Sequence, residues 1–163
     1  MNKEKMSVNC EVALINSQDL SKGEGELLRK AHEAALNAYA PYSGFHVGAA
    51  VRLKSGMIVI GNNQENIAYP SGLCGERVAL FTAGAQFPKE EIESIAIVTP
   101  SPLALPQTFM PCGSCRQVLR ETESRQKTPV KIYLQARDEV VMVSESASNL
   151  LPFSFSIQDG FFK

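Results

Sequence analysis

Apolar positions recur along this chain with a helical period in some segments and an alternating period in others. Between residues 20 and 40 they recur three and four positions apart, which predicts a helix. Ser21 and Glu24 have the pattern of a capping box at its start, and Pro41 is expected to end it. Two further segments share the helical period, residues 74–85 and residues 112–124.

Segments between these helices have the pattern of β-strands. Residues 45–53 and 57–61 alternate on either side of the turn Lys54-Ser55-Gly56, which predicts a hairpin. Residues 94–99 are almost continuously apolar, as in a strand that is covered on both faces. The remaining strand patterns are short: residues 7–16, 130–135 and 139–143, the last two joined by a turn at 137–138.

The alternation of strands and helices predicts an α/β fold. We expect a three-layer α-β-α sandwich, with a mixed five-stranded sheet and helices on both faces. Strands should run parallel where a helix crosses between them. Residues 100–111 hold four of the nine prolines and should form an irregular loop. A length of 163 residues suits one domain, so the whole chain, 1–163, is interpreted as a single domain.

Composition and charge narrow the classes of partner. Hydrophobic residues make up 44% and charged residues 20%, as in an ordinary soluble globular protein. The net charge is −1 and there is no arginine-rich run, so no polynucleotide partner is expected, because phosphate binding needs clustered Lys and Arg. The N-terminal segment is mixed, and no apolar run is long enough to span a membrane. A cytoplasmic protein without a membrane partner is therefore expected.

The residues with the clearest chemical meaning are three cysteines and one glutamate. They lie in Cys74-Gly75-Glu76 and, after 34 intervening residues, in Pro111-Cys112-Gly113-Ser114-Cys115. Three thiolates can hold Zn²⁺ and leave its fourth tetrahedral position free. A carboxylate that is not a ligand can then move protons for the reaction. The order C-x-E…P-C-x-x-C is the signature of the zinc deaminases.

Cys112-x-x-Cys115 alone leaves alternatives open, because a redox pair or half of a structural zinc site has the same pattern. A structural site would need a fourth Cys or His nearby. His32 falls in the first predicted helix and His46 in a strand, where a packing or surface role is expected. Cys10 has no partner in this scheme and is expected to be a small buried side chain. Three thiolates without a fourth protein ligand predict an open, catalytic zinc site, with one Zn²⁺ per subunit.

Glu76 and Arg77 are interpreted from their spacing to Cys74. Residues two apart on a regular helix diverge by roughly 200°, so Cys74 must lie at an irregular first turn if it and Glu76 are to reach one water. Without the cysteines, Glu76 would only offset the helix dipole. Three thiolates and Zn²⁺ sum to −1, and Arg77 could withdraw charge by hydrogen-bonding a thiolate. The alternative for Arg77 is a solvated helix residue.

Several blocks in one order make the chain resemble the cytidine deaminases, in the small, homotetrameric type that acts on free nucleosides. The resemblance runs from about residue 38 to residue 155. The matched blocks are APYSGFHVGAA at 40–50, GNNQEN at 61–66, CGER at 74–77, PCGSCRQ at 111–117 and LLP at 150–152.

This resemblance implies hydrolytic deamination of cytidine and 2′-deoxycytidine to uridine and 2′-deoxyuridine, with release of ammonia, as a step of pyrimidine salvage. It implies that Glu76 is the catalytic residue and that Asn63 and Glu65 hold the ribose hydroxyls. It also implies that Phe45 packs on the nucleoside and that the Gly75 backbone meets the pyrimidine. Arg77 would neutralise thiolate charge.

The resemblance further implies a homo-oligomer, a tetramer, whose sites receive aromatic residues from neighbouring subunits. Tyr69 and Phe155 are at the matching positions, with Phe153 as the alternative to Phe155. The chain departs from the family in three places. Gly75 replaces the usual alanine, which suggests a looser helix start. Residues 100–111 form a longer loop, which is expected to reshape the entrance, and residues 1–20 are an extension without an assigned role.

Two other functions remain open from the sequence. A blasticidin-type aminonucleoside deaminase would share the zinc site and differ in its sugar pocket. A structural or redox zinc–thiolate protein would have no open zinc position and no deaminase activity.

Overall fold

The computed structural model describes residues 3–136 and 139–156, which form a mixed sheet of six strands and three helices. The strands are β1 (Ala13–Asn16), β2 (Gly48–Leu53), β3 (Ile58–Asn62), β4 (Ile92–Val98), β5 (Lys131–Gln135) and β6 (Val140–Ser144). The helices are α1 (Lys22–Ala35), α2 (Gly75–Gln86) and α3 (Gly113–Gln126). The predicted turn at 137–138 lies outside the described residues.

The sheet has the order β1-β6-β5-β4-β2-β3 and is mixed, as predicted. β4 and β5 run parallel, and α3 crosses between them. β2 pairs antiparallel with both β3 and β4, so α2 joins two strands of the same direction that lie on either side of β2. The parallel pairing predicted for a helical crossover therefore holds for β4 and β5, whereas β3 and β4 are not neighbours.

The predicted three-layer architecture is confirmed, because the sheet separates two buried clusters. Alternate residues of the central strands point to opposite faces. One cluster joins α1 to the sheet through Leu27, Ala31, Ala96 and Val98. The other joins α2 and α3 to the opposite face, with Ala79, Leu119, Ile95 and Ile97 among its members.

The strand count of five was wrong, because an additional strand lies at one edge. β1 pairs antiparallel with β6, with Ala13 opposite Val143. The strand covers only the last four residues of the segment predicted at 7–16. Cys10 precedes it and is exposed, so the expectation of a buried side chain was also wrong.

Helix α1 begins as predicted and ends earlier than predicted. Ser21 and Glu24 form the capping box. The helix ends at Ala35, and Pro41 does not terminate it. The chain turns away because the backbone of Tyr39 pairs with the segment after β3: its N–H donates to the carbonyl of Asn63 at 3.0 Å and its carbonyl accepts from Glu65 at 2.9 Å. This pairing carries residues 40–47 to the site described below.

Two glycines let the helices approach the sheet closely. A Cβ atom at Gly48 would lie 2.0 Å from the carbonyl oxygen of Ala31, and one at Gly61 would lie 2.4 Å from the backbone nitrogen of Ala79. Neither position has room for a side chain. Gly61 therefore sets how deeply α2, which carries three of the predicted site residues, lies against β3.

The predicted loop at 100–111 is irregular, with one short 3-10 turn at Pro106–Thr108. Among the described residues, no helix combines the length and the apolar character that a membrane crossing requires.

Candidate metal centre and adjoining cavity

The three predicted ligand cysteines lie together where two helices begin. Cys74 and Cys112 are the N-cap residues of α2 and α3, with extended backbone, and Cys115 lies in the first turn of α3. The Sγ atom of Cys112 is 4.0 Å from that of Cys74 and 3.4 Å from that of Cys115. All three Sγ atoms lie within 4.8 Å of one another.

This sulfur cluster fits a zinc ion. With Zn–S distances of about 2.3 Å, the edges of a tetrahedral thiolate site are about 3.8 Å long, close to the separations found. Among the described residues, no His, Asp, Glu or fourth Cys joins the group. His32 instead contacts the side-chain oxygen of Gln135 at 3.0 Å, and His46 contacts the carbonyl of Gly44 at 3.1 Å. The cluster therefore offers three protein ligands and leaves a fourth position for a small molecule.

Charge around the sulfurs also suits a metal. The Nη2 atom of Arg77 donates to Cys74 Sγ at 3.6 Å, as predicted. A hydrogen bond from the Cys115 thiol and the nearby guanidinium lower the pKa of Cys74 to about 5, and the same hydrogen bond raises the pKa of Cys115. A bound metal would replace the proton that these two sulfurs share. Within the part of the chain described, the buried Nε of Arg77 has no acceptor, so the guanidinium has hydrogen-bonding capacity to spare.

Glu76 lies beside this cluster and is almost fully buried, with 4% of its surface exposed. Because Cys74 is an N-cap with non-helical backbone, both residues reach the same place despite a spacing of two. Burial raises the pKa of Glu76, and the Cys115 side chain hydrogen-bonds its carboxyl group. A raised pKa lets a buried carboxyl group keep its proton at a higher pH than an exposed carboxyl group would, which suits a group that exchanges protons with a substrate.

A cavity of about 580 Å³ opens over the cluster. This volume is within the range usual for small-molecule sites. Cys74, Cys112 and Glu76 line one part of it, and Phe45, Asn63 and Glu65 line another. The structure thus brings two of the three predicted metal ligands, the predicted catalytic carboxyl and three predicted substrate contacts to one cavity.

Asn63 and Glu65 are held by the segment that precedes β2. The side chain of Asn63 accepts from the backbone N–H of Val47 at 2.7 Å and donates to the carbonyl of Phe45 at 2.9 Å. The carboxylate of Glu65 accepts from the backbone N–H groups of Tyr42 and Ser43 at 3.0 and 3.2 Å. These contacts fix the two side chains at the edge of the cavity.

Ser43 is a site residue that the sequence did not single out. Its hydroxyl donates to Glu65 and accepts from the N–H of Phe45 at 3.0 Å. The hydrogen bond from Ser43 lowers the pKa of Glu65, so that carboxyl is ionised at neutral pH. Ser43 could have been identified as a candidate because it lies in the sequence block around Phe45. The block alone, however, does not show which residue Ser43 contacts.

Gly75 is buried between α2 and the segments around it. A Cβ atom there would lie 2.9 Å from the carbonyl oxygen of Val47 and 3.2 Å from the backbone nitrogen of Asn63. The helix start is therefore closely packed, and the expectation that it is looser was wrong.

The aromatic residues predicted to act on neighbouring subunits are exposed. Tyr69 is 77% exposed and meets the edge of the Tyr42 ring, with centroids 6.3 Å apart. Phe155 is 74% exposed, and its carbonyl accepts from Gln117 at 3.0 Å. Phe153 is also exposed. None of these three rings lines the cavity over the sulfur cluster within one chain, and their roles stay predictions.

Known proteins match this chain over most of its length. Residues 21–130 match the family model of the cytidine and deoxycytidylate deaminase zinc-binding region. A cytidine deaminase from Halalkalibacterium halodurans is 38% identical over 136 residues, which cover 82% of this chain and 94% of that protein.

Solved structures agree with this family match. The cytidine deaminase from Burkholderia pseudomallei has a TM-score of 0.70 and 38% identity, covering 80% of this chain and 98% of that one. The enzyme from Mycobacterium tuberculosis has a TM-score of 0.63 and 30% identity, covering 82% and 98%. The matched segment contains all three clustered cysteines, and the chain belongs to the cytidine and deoxycytidylate deaminase family.

Proposed function

We propose that this protein is a zinc-dependent hydrolase that converts cytidine and 2′-deoxycytidine to uridine and 2′-deoxyuridine, with release of ammonia. One observation carries this proposal: three sulfurs within 4.8 Å of one another, with an open fourth position, lie beside a buried carboxyl in a ligand-sized cavity. Two relatives that each match 82% of this chain are themselves described as cytidine deaminases.

Cys74, Cys112 and Cys115 would hold the zinc ion, which supplies an activated water when bound. Glu76 would accept a proton from that water and would deliver protons to N3 of the pyrimidine and to the departing amine. In the overall reaction a C4–O bond forms, the C4–N bond breaks and one water is consumed for each ammonia released. Arg77 hydrogen-bonds Cys74, and its positive charge would offset part of the negative charge of the three thiolates.

Substrate contacts are proposed for four further residues. Glu65 is ionised and lies at the cavity edge, where it can accept hydrogen bonds from ribose hydroxyls. Asn63 lies beside it and also orients the backbone at Phe45. The Phe45 ring is proposed to pack on the nucleoside, and the backbone of Gly75, at the start of α2, to contact the base.

The two rival functions are less well supported. A blasticidin-type deaminase would share the metal site, but the relative from Halalkalibacterium halodurans and the structure from Burkholderia pseudomallei are both cytidine deaminases. A structural or redox zinc–thiolate protein would have no use for the cavity or for a buried carboxyl next to the sulfurs.

The wider setting is also proposed. We propose that each chain is one domain over residues 1–163 and that four chains assemble into a homotetramer. In this assembly, Tyr69 and Phe155 would contribute to the sites of neighbouring subunits. The exposure of both rings supports this role. A cytoplasmic location is proposed because reduced thiolates persist in a reducing compartment. A role in pyrimidine salvage is proposed from the reaction itself. Residues 1–20 have no assigned role.

The test combines a metal assay with a reaction assay. Zinc per chain and ammonia release from cytidine are measured before chelation, after chelation and after zinc is restored, with blasticidin S as the comparison substrate. We expect about one zinc per chain, ammonia from cytidine, loss of both on chelation and recovery with zinc. Zinc-loaded protein that releases no ammonia from cytidine or 2′-deoxycytidine would refute the proposed function.

A further inference from the structure

Loop 100–111 forms an uncharged wall of the cavity over the sulfur cluster. The wall residues include Leu103, Leu105, Phe109 and Met110, and no Lys, Arg, Asp or Glu of this loop lines the cavity. The ionisable and amide groups of the cavity come from other segments, namely Glu65 with its neighbour Asn63 and the starts of α2 and α3. The loop therefore brings mainly apolar side chains to the cavity, and the one hydroxyl it adds there, that of Thr108, donates to the carbonyl of Leu105 at 3.3 Å.

The start of the wall is held in place by hydrogen bonds from two buried residues, Thr99 and Ser101. The hydroxyl of Thr99 donates to the carbonyl of His46 at 2.7 Å and accepts from the N–H of Ser101 at 3.1 Å. The hydroxyl of Ser101 accepts from the N–H of Leu103 at 3.3 Å. Thr99 and Ser101 are both buried. Hence the start of the loop is fixed to the segment that carries Phe45.

Phe109 is also fixed from the other side of the loop. Its ring lies 6.4 Å from the ring of Phe45, centroid to centroid, at an angle of 43°. This separation is typical of interacting aromatic pairs. Both rings are half-buried and both line the cavity. Any base that contacts Phe45 would therefore have Phe109 close to it.

One edge of a bound pyrimidine is expected to contact this wall. In the proposed reaction C4 must face the sulfur cluster and N3 must face Glu76, while the sugar on N1 extends to Asn63 and Glu65. N3 and C5 flank C4 on opposite sides of the ring, so the C5–C6 edge faces away from Glu76. That edge carries only C–H groups, and an apolar wall suits it because no polar group is left unpaired.

We propose that Phe109 is a specificity-determining residue that closes the C5 edge of the bound pyrimidine and limits the size of the substituent accepted there. The inference rests on the proposed cytidine deaminase function and deepens it. The loss or gain of one methyl group in an apolar pocket changes kcat/KM by roughly 10–200-fold. The wild-type enzyme should therefore prefer cytidine to 5-methylcytidine, and the preference should depend on the Phe109 ring.

The main test compares kcat/KM for cytidine and 5-methylcytidine in the wild type, Phe109→Ala and Phe109→Leu. Phe109→Ala should raise the ratio of 5-methylcytidine to cytidine by about tenfold, and Phe109→Leu should raise it less. Gln107→Ala is the matched control, since Gln107 lies on the same loop, is exposed and does not line the cavity. Its ratio should equal that of the wild type. Zinc per chain is measured for every variant.

A binding measurement provides a readout without turnover. The dissociation constants of uridine and 5-methyluridine are measured by calorimetry on each zinc-loaded protein. Phe109→Ala should shift their ratio toward 5-methyluridine, and Phe109→Leu carries the test if the alanine variant does not fold. If both ratios stay at the wild-type value in the Phe109 variants while cytidine is still deaminated, the inference is overturned and the proposed function stands. A wild-type protein inactive on cytidine would instead overturn the proposed function.

Discussion

At the scale of single residues, Glu76 is the group whose position is most closely tied to the chemistry. Its carboxyl is buried beside the sulfur cluster and is not needed as a fourth ligand. Glu76→Gln keeps the shape of the side chain and removes its ability to accept a proton. We expect a zinc content equal to that of the wild type and a fall in kcat of at least ~10²–10⁴-fold, because a positioned acid–base group contributes that much.

Zinc analysis and ammonia release on the same Glu76→Gln sample test this prediction. Glu121→Gln, which changes an exposed glutamate of α3, is the control and should leave both values unchanged. A zinc-loaded Glu76→Gln protein with a near-normal rate would show that the proton carrier is another group.

Ser43 links the two proposed substrate contacts, Glu65 and Phe45, through one hydroxyl. Ser43→Ala removes the hydroxyl that donates to the Glu65 carboxylate and accepts from the N–H of Phe45. We expect KM for cytidine to rise, with zinc content unchanged and kcat affected less. Ser43→Thr keeps the hydroxyl and should restore most of the affinity. Equal loss in the threonine and alanine variants would show that the hydroxyl is not what matters.

Glu76 and Ser43 also show which site residues can be predicted from sequence and which cannot. Cys74, Glu76, Cys112 and Cys115 were predictable because few arrangements other than a metal site require those residue types at those spacings. The contact between Ser43 and Glu65 was not, because it depends on a turn that meets a segment more than 20 positions away. Local patterns do not encode such tertiary approaches.

At the scale of elements, the distance between α2 and the sheet depends on Gly61. A Cβ atom there would meet the backbone of Ala79 at 2.4 Å, which only a shift of the helix could relieve. Because Cys74 is the N-cap residue of α2 and Glu76 lies in its first turn, such a shift would open the metal site. We expect Gly61→Ala to lower the unfolding free energy by about 1–3 kcal/mol and to reduce zinc retention.

Gly84→Ala is the matched control for Gly61→Ala. Gly84 lies in the same helix, and a Cβ atom there has nothing within 4 Å. This substitution should be neutral or should stabilise by up to about 1 kcal/mol, since alanine favours a helix interior. Denaturant unfolding and zinc titration of both variants measure the difference. Equal effects of the two substitutions would contradict the role given to Gly61.

The start of α1 should make stability depend on pH. Hydrogen bonds from Tyr133 and Ser21, together with the nearby Lys131, lower the pKa of Glu24 from 4.5 to about 2. A lowered pKa in the folded state means stability that is complete above pH 4.5 and is lost as the pH falls toward 2. Glu24→Gln keeps the capping hydrogen bond but not the charge. The wild type should therefore be more stable than Glu24→Gln at pH 7, and the difference should shrink below pH 4.5.

Urea unfolding of both proteins from pH 7 to pH 3 measures this difference. More than half of it should be gone at pH 3, because that pH is closer to the folded pKa than to the unfolded one. A difference that stays constant over the whole range would show that the charge of Glu24 does not contribute.

The ends of the elements were harder to predict than their order. The sequence placed the capping box of α1 correctly, since its signal is local. The helix ends at Ala35 because the backbone of Tyr39 pairs with the segment after β3. This end could not be predicted, because the helical apolar period continues to residue 40. The predicted length of β1 was too long, and β1 was left out of the predicted five-stranded sheet. Both errors have a similar cause, because the extent of an edge strand depends on its pairing with its partner, here β6.

At the scale of the whole molecule, the alternation of helices and strands was enough for the architecture. Each helix has to cover a face of the sheet, so the three layers follow from the element order. The assembly does not follow in the same way. Tyr69 and Phe155 are exposed, and neither lines the cavity over the sulfur cluster within one chain. Their proposed role therefore needs a test that separates residues acting within a chain from residues acting between chains.

Co-expressing two variants provides that test. Glu76→Gln lacks the proton carrier but keeps its Phe155, whereas Phe155→Ala keeps Glu76 but cannot supply the ring. If Phe155 acts in a neighbouring site, co-expressed chains form some sites with Glu76 from one chain and Phe155 from the other. The activity of the mixture should then exceed the sum of the two separate variants. Glu76→Gln mixed with Glu65→Ala is the control, because both of those residues lie at one cavity of one chain, and it should show no gain. If Phe155→Ala alone is fully active, or if its mixture shows no gain, Phe155 does not act across the subunit boundary.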